Sequence, residues 1–385
     1  MPEAGELCKI DLLFDMSEAF DIKLERDWFR KICSPDELER ILNVQNANDH
    51  ILRLRAEIIA DDIRIYRVFL HKVREYEEKG WEWALEKYFR AYNYIDVLHS
   101  LDKEKEELCR QVSFGAIISN EPNGLIFESP YGICSTYSTT LEYFSRFACL
   151  AMLDFGKVVP RSVRIQAMRI AIRVMLQRES LDFDVDPRGI IPQDILDAIY
   201  PIYPMQITFI AAHEYSHLIN GDLTKGGTIK QAVRKAHFKD ETDYKMVDAY
   251  NISQQKEFKA DLGALTYPKQ PDDWYARIYY ATMLWFASLA IYEAAEDTIF
   301  PPNGKQTHPG AKARYNNILE NAPRPNNFSK KLYYETIPAM VDNWEDFVKQ
   351  DVMENFEAYE MYGSLYLAAP NTEWRGRELI DRVDY

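Results

Sequence analysis

The string His213-Glu214-Tyr215-Ser216-His217 constrains this chain more than any other feature of its sequence. Residues four apart lie on one face of a helix, so both imidazoles can point at a single metal ion. The carboxylate of Glu214 is placed to take a proton from a water molecule that the metal activates, instead of binding the metal. Because a catalytic zinc site keeps one position open, the string predicts half of such a site and requires a third protein ligand elsewhere.

The candidate third ligand lies further along the chain, in Glu257-Phe258-Lys259-Ala260-Asp261. Its two carboxylates also share one face of a probable helix. Glu257 would complete a zinc site of two histidines and one glutamate, and Asp261 is placed to accept the second ring N–H of a ligating histidine. Such a pair alone is most often a solvated acidic face, so its significance comes from the histidine string that precedes it.

Three motifs in this order resemble those of the HtpX-type endopeptidases, which are relatives of the CAAX prenyl proteases. The stretch from Ala212 to Leu223 is similar to the zinc helix of that family, which often runs into an N-G-D turn. The stretch from Glu257 to Ala264 resembles the family's E-F-x-A-D-x-G-A helix, and Thr307-His308-Pro309 followed by Arg314 resembles its T-H-P-x-x-x-x-R segment. The resemblance covers roughly residues 200 to 320.

This resemblance implies a zincin-like metallopeptidase core of the gluzincin type, with Zn²⁺ held by His213, His217 and Glu257. Glu214 would act as general base on a zinc-activated water and would then pass the proton to the leaving amine. The reaction would be the hydrolysis of peptide bonds in a protein or peptide substrate.

The third motif implies two further roles. His308, which would otherwise be a helix-capping or surface residue, would lie near the active site and donate a hydrogen bond to the oxyanion. Arg314 would pair with an acidic residue near the metal and would not contact the substrate.

Two alternative functions remain open at this stage. The same chemistry could belong to a gated toxin-like or defence metalloprotease that cuts one host protein, since the flanking regions resemble nothing known to us. The chain could also be a catalytically silent zincin-fold module that binds a protein partner. All four chemical positions are intact, which weighs against the silent module.

The sequence departs from the HtpX-type endopeptidases that it resembles, which carry membrane-spanning segments, in lacking a predicted membrane span. The interval Thr224–Lys256, between the two metal motifs, has no apolar run. The longest uncharged apolar stretch, Ile278–Tyr292, is shorter than the roughly 18–20 residues that cross a bilayer, so we expect a buried core helix there. Met1–Phe20 lacks the basic start and long apolar core of a secretory signal.

Charge and cysteine content favour a soluble cytoplasmic enzyme. The net charge of −15 argues against nucleic acid as a main partner and against docking on anionic lipid. The five cysteines form no C-x-x-C motif and all precede the metal motifs, which is typical of neither a disulfide scaffold nor a metal site.

The predicted fold is mainly α, with a small sheet in an α+β core. We expect a helical N-terminal region over residues 1–120, a catalytic core over 121–325 and a C-terminal helical extension over 326–385. Apolar spacing predicts a continuous helix over Leu38–Arg74. The short apolar run Leu125-Ile126-Phe127 is a candidate strand on which an extended substrate could add as a further strand.

The segment that contains the metal motifs has predictable boundaries. The histidine helix should run from about Met205 to Asn220 and stop at Asn220-Gly221, and Pro268 should end the second metal helix. The polar segment Thr224–Lys256 joins the two helices and could act as a movable cover that a regulatory protein partner displaces. Alternatively, it is a rigid excursion with a helix around Lys230–His237.

Overall fold

A computed structural model describes residues 26–367, apart from 90, 120, 154, 157, 224–227, 236–243, 251–253 and 301–308; of residues 228–235 and 244–250 it describes the backbone alone. These residues are mainly helical and include one small mixed sheet, which confirms the predicted fold class at that level. The chain divides into two compact units, Met1–Arg90 and Ala91–Tyr385. The predicted divisions at residues 120 and 325 stay predictions.

Separate helices build the described part of the first unit. Their bounds are α1 Pro35–Leu42, α2 Ala47–Asp61, α3 Ile63–Glu78 and α4 Leu85–Tyr88. The predicted continuous helix over Leu38–Arg74 is therefore wrong. The side chains of Asn46 and Asp62 accept hydrogen bonds from backbone N–H groups two and three residues ahead. Such caps satisfy the backbone amides that have no partner at the start of a helix. Asn46 and Asp62 therefore each mark the start of a separate helix.

The second unit begins with helices and strands that surround the histidine helix. In chain order they are α5 Tyr92–Ser100, α6 Lys103–Cys109, β1 Ser113–Ile117, β2 Gly124–Ser129, β3 Gly132–Ser138, α7 Thr139–Met152, α8 Arg161–Met175 and α9 Gln193–Ile199. The predicted strand at Leu125–Phe127 is confirmed, because these residues form the buried part of β2.

The two metal motifs lie on separate helices joined by a hairpin. The elements of this part are α10 Tyr203–Ile219, β4 Thr228–Lys235, β5 Tyr244–Tyr250 and α11 Gln254–Thr266. Helix α10 starts with proline in its first turn, and Gly221 follows its end with a φ of 71°, a conformation that favours glycine. Both predicted helix ends are confirmed to within two residues.

The sheet has the strand order β1-β3-β2-β5-β4. Strands β1 and β3 are parallel, whereas β2 is antiparallel to both β3 and β5. Strand β5 reaches β2 with Ala249 opposite Phe127, and β4 pairs with β5 in a hairpin. The alternative prediction of a helix around Lys230–His237 is wrong over its described part, which belongs to strand β4.

Five further helical elements complete the described part of the second unit. They are α12 Asp272–Ile299, α13 Ala311–Asn321, a π-helical turn Leu332–Thr336, α14 Ile337–Glu354 and α15 Phe356–Glu360. The predicted core helix at Ile278–Tyr292 is confirmed, since it lies within α12 and most of its side chains are buried.

One described stretch, Gln193–Ile219, is long and apolar enough to cross a membrane by length and composition alone. Its helices α9 and α10 are separated by Tyr200–Ile202, and its second half carries the buried histidine string. Since core helices of many proteins meet the same criterion, this stretch does not identify a membrane protein.

Candidate metal centre

Three side chains of helices α10 and α11 converge on one buried point. His213 and His217 are one turn apart on α10, and Glu257 lies in the first turn of α11. All three are less than one-tenth exposed, and their ligand atoms are close enough to hold one metal ion. Burial of three such polar groups is costly unless a common partner satisfies them.

The separations of these atoms are close to those of ligands that share one metal ion. The two Nε2 atoms are 3.1 Å apart, and Glu257 places one oxygen 3.4 Å from Nε2 of His213 and the other 3.5 Å from Nε2 of His217. Ligands about 2.0–2.1 Å from a tetrahedral zinc ion are separated by about 3.3–3.4 Å. The three residues therefore have a spacing suited to a small metal ion.

A second carboxylate faces the far side of each imidazole. Nδ1 of His217 lies 3.1 Å from Oδ2 of Asp222, and Nδ1 of His213 lies 2.9 Å from Oδ1 of Asp261, although the angle at His213 is too oblique for a linear hydrogen bond. A carboxylate at Nδ1 favours the tautomer that carries its proton there. Both Nε2 atoms then present lone pairs to the centre, where a bound cation would satisfy them together with the carboxylate of Glu257.

Electrostatics at the two histidines also favour a positive charge. Burial alone would lower the pKa of His213, but the carboxylates of Asp261 and Glu257 raise it to about 10. Burial likewise lowers the pKa of His217, and Asp222 and Glu257 outweigh it, so that the net shift is upward. The surrounding carboxylates thus stabilise a cation at this position.

Arg314 of α13 holds Asp261 in place. Its Nε is 2.8 Å from Oδ2 of Asp261 and its Nη2 is 2.5 Å from Oδ1, a bidentate pair. Burial would raise the pKa of the Asp261 carboxyl, but Arg314 holds it below its usual value. Arg314 also lies over the ring of Phe286 and 3.6 Å from Glu257, so α13 contributes to the centre through this side chain.

The start of α13 is fixed by a carboxylate from another helix. The backbone N–H of Ala311 donates to both oxygens of Glu293 on α12, at 2.9 and 3.0 Å. An acidic group at the N-terminus of a helix satisfies free amides and complements the helix dipole. Because Arg314 lies one turn further, this contact sets the position from which the guanidinium reaches Asp261.

Glu214 lies between the two histidines in sequence and is also buried. Its carboxylate points towards the start of β2, where Oε1 approaches Gly124. Its charge acts on both His217 and Arg314. The structure thus places the Glu214 carboxylate against the start of the sheet strand β2, close enough to act on His217 and Arg314.

Close packing brings α10 and α11 together. A Cβ atom at Gly263 would lie 2.8 Å from Oγ and 3.0 Å from Cβ of Ser216, a residue of the histidine string. The hydroxyl of Tyr267 donates to Asn220 at 2.6 Å, and Lys256 donates to the carbonyl of Asp222 at 3.2 Å. These contacts keep the helix with two ligands against the helix with the third.

The predicted site residues are not all within the described part of the chain. His213, Glu214, His217, Glu257, Asp261 and Arg314 come together, whereas His308 lies outside the described residues. Sequence reasoning missed Asp222, although it follows the Asn220-Gly221 turn closely enough to face His217. It also assigned no role to Gly124 or Gly263.

Comparison with known proteins adds no assignment: no protein-family model, no curated protein and no solved structure matches the chain.

Proposed function

We propose that the protein is a zinc-dependent endopeptidase that hydrolyses peptide bonds in a protein substrate. The observation that carries this proposal is the convergence of His213, His217 and Glu257 on one buried point, with the carboxylate of Glu214 beside them. Two imidazoles and one carboxylate this close together suit zinc better than the oxygen-preferring divalent ions. The resemblance to HtpX-type endopeptidases supports a peptide bond as the target.

Each residue has a defined task in this proposal. Zinc, when bound, would supply a Lewis acid and a water molecule of lowered pKa. Glu214 accepts the proton of the attacking water and delivers it to the leaving amine. Asp222 and Asp261 hold the two imidazole rings, and Arg314 holds Asp261. The four described cysteines are buried and form no disulfide with one another, which supports a cytoplasmic location.

Metal analysis with matched variants tests the proposal. The purified chain should bind about one zinc ion, and His213→Ala or Glu257→Ala should lose most of it. His71→Ala changes an exposed histidine of α3 and should retain the zinc. Full occupancy in both ligand variants would exclude the site.

Glu214→Gln separates zinc binding from catalysis. It should keep the zinc but lose about 10²–10⁴-fold in the rate of hydrolysis, because the amide cannot accept the proton. Cleavage can be followed on denatured casein or on a proteome-derived peptide library by mass spectrometry. A parental rate in this variant contradicts the mechanism, and zinc binding with no cleavage of any peptide would instead favour a silent binding module.

One observation favours a gated form of the same enzyme. Zincin-type peptidases commonly bind an extended substrate along an edge strand, but here β5 already pairs with β2 on the side opposite β3. In this form of the proposal, the β4–β5 hairpin must leave β2 before a substrate strand can pair there. A regulatory partner could displace it.

Removal of the hairpin tests the gate. Replacing residues 228–250 with a short Gly/Ser link should raise cleavage of an unstructured peptide, with zinc content retained. A control that shortens only residues 236–243 keeps both strands and should cleave as slowly as the parent. Unchanged or lower activity after removal of the hairpin would rule out the gate.

A further inference from the structure

Gly124, the first residue of β2, lies directly against the general-base candidate. A Cβ atom at position 124 would lie 2.9 Å from Oε1 of Glu214 and 3.1 Å from Cγ2 of Ile210. Real Cβ atoms essentially never make contacts shorter than 3.0 Å. Strand β2 therefore passes the Glu214 carboxylate with no room for a methyl group between them.

The backbone conformation at position 124 does not require a glycine there. The described glycines with positive φ are Gly80, Gly132, Gly156, Gly189, Gly221 and Gly363. Gly124 is not one of them, and it pairs with Tyr137 in an ordinary antiparallel ladder. A glycine in a strand lacks a side chain to pack and often marks a close approach. The approach of Glu214 accounts for glycine at this position.

A methyl group at position 124 would displace Glu214 more easily than its other neighbour. Ile210 lies one turn before Glu214 on α10 and is held in the core. The end of the Glu214 side chain is the flexible partner, so it would move. The three nearest atoms all belong to Ile210 and Glu214, and none belongs to a candidate metal ligand. Such a change therefore acts on the general base and leaves the ligands in place.

We propose that Gly124 is a positioning residue that keeps the Glu214 carboxylate beside the metal centre by leaving space for it. The inference rests on the proposed function, because it assigns Gly124 to the proton transfer that Glu214 performs. A catalytic group misplaced by about 1 Å can slow a reaction about 10²-fold. The glycine thus matters for turnover and not for the binding of metal or substrate.

Kinetics of the zinc-loaded Gly124→Ala variant test this role. We expect kcat for a library-selected peptide to fall by about 10²-fold, while KM and zinc content stay near those of the parent. Asp194→Ala, at an exposed position of α9, is the control and should leave kcat, KM and zinc content unchanged. An unchanged kcat, or a loss that appears in KM or zinc content, overturns the inference.

A double-mutant cycle, measured by thermal unfolding, tests the contact between Gly124 and Glu214 without relying on turnover. Gly124→Ala should lower the melting temperature of the parent, and the shift should shrink in the Glu214→Ala background, where the carboxylate is absent. Equal shifts in both backgrounds overturn the contact. If Gly124→Ala alone does not fold, addition of Glu214→Ala should restore folding, and failure to do so also overturns it. If the unmodified protein hydrolyses no peptide, both the proposed function and the catalytic role of Gly124 are overturned. The melting temperatures still show in that case whether Gly124 and Glu214 are in contact.

Discussion

Each imidazole of the candidate centre is held from behind by its own carboxylate. Asp222 faces His217 and Asp261 faces His213, so each histidine has a carboxylate at its Nδ1 atom although the two carboxylates lie on different segments. Such partners fix the ring orientation and raise the basicity of the ligand. The affinity for metal should therefore depend on residues that never contact the ion.

Asp222 provides the test at the scale of single residues. Asp222→Ala should weaken zinc affinity by about 10–100-fold in a chelator titration, and Asp261→Ala should do the same. Circular dichroism should show both variants folded, which separates the loss of support for the histidines from the loss of structure. Asp194→Ala, an exposed residue of α9, serves as the control. Parental affinity in both variants would show that these carboxylates do not support the ligands.

The residues that sequence alone could predict are those whose spacing is set by one helix. His213 and His217 share a helical face regardless of the rest of the fold, with Glu214 next to His213 in sequence, and Glu257 with Asp261 likewise shares one face. Asp222 lies beyond a turn, so its approach to His217 depends on the conformation at Gly221. The approach of Gly124 to Glu214 requires a sheet that comes from a distant part of the chain, and no local pattern encodes it.

At the scale of elements, the approach of α10 to α11 assembles the centre. Gly263 packs on Ser216, and Tyr267 reaches Asn220, so the two helices are in contact beyond their metal ligands. Small residues at such a point allow closer helix packing than larger ones. The distance between His217 and Glu257 is therefore set partly by a glycine.

Gly263→Ala tests this dependence. The added methyl group would lie 2.8 Å from Oγ of Ser216 and 2.6 Å from the ring of Tyr267, so the helices must separate. Overpacking of this kind costs about 1–3 kcal/mol, and separation also moves the ligands apart. We expect a lower melting temperature and weaker zinc binding by chelator competition, with partial recovery when Ser216→Gly is added. Thr266→Ala, at an exposed position of the same helix, should change neither quantity, and parental zinc affinity in Gly263→Ala would contradict the argument.

Helices whose ends are marked by proline or glycine were predictable from the sequence. Strands that depend on pairing with distant segments were not. Helix α10 has prolines at its start and glycine after its end, and its prediction is confirmed. The sequence analysis did not predict β3, because its buried residues include Ser135, Thr136 and Ser138, which obscure the apolar pattern. The hydroxyl of Ser135 is satisfied by Tyr94 at 2.9 Å, a contact that only the folded chain provides.

At the scale of the whole molecule, a buried network ties the end of the second unit to its middle. Asp351 of α14 accepts hydrogen bonds from Nε and Nη2 of Arg169 on α8, at 2.7 and 2.5 Å, and from Tyr359 and Asn355. The carboxylate is only 5% exposed, so loss of its partners would leave a buried charge. This network connects elements that are far apart in the sequence.

The network predicts a dependence of stability on pH. Burial raises the pKa of Asp351, but hydrogen bonds and charge from Arg169 and Tyr359 hold it below its usual value. A depressed pKa in the folded state stabilises the protein above the unfolded value of about 3.9, and this stabilisation is lost as pH falls through the folded pKa. Asp351→Asn should therefore destabilise the protein by about 3–5 kcal/mol near pH 7, and by less below about pH 4.

Urea unfolding of the parent and of Asp351→Asn, near pH 7 and below about pH 4, measures the difference in their free energies of unfolding. A loss of bound metal at low pH would affect both proteins equally and cancels in this difference. Asp273→Asn is the control, since that residue forms an exposed pair with Arg277. Such a pair contributes about 0–1 kcal/mol. Equal destabilisation by Asp351→Asn at the two pH values would contradict the assignment.

The ion pairs around the metal centre also determine its net charge. Four buried carboxylates meet there, those of Glu214, Asp222, Glu257 and Asp261. Their basic neighbours are Arg314, which contacts Asp261 and Glu257, and Lys256, which lies 3.6 Å from Asp222. With both histidines neutral, as metal binding requires, two negative charges are left in a region that water screens poorly, and an ion of charge +2 would neutralise them. The electroneutrality of this buried region would therefore select the valence of a bound ion, together with the geometry of the three candidate ligands.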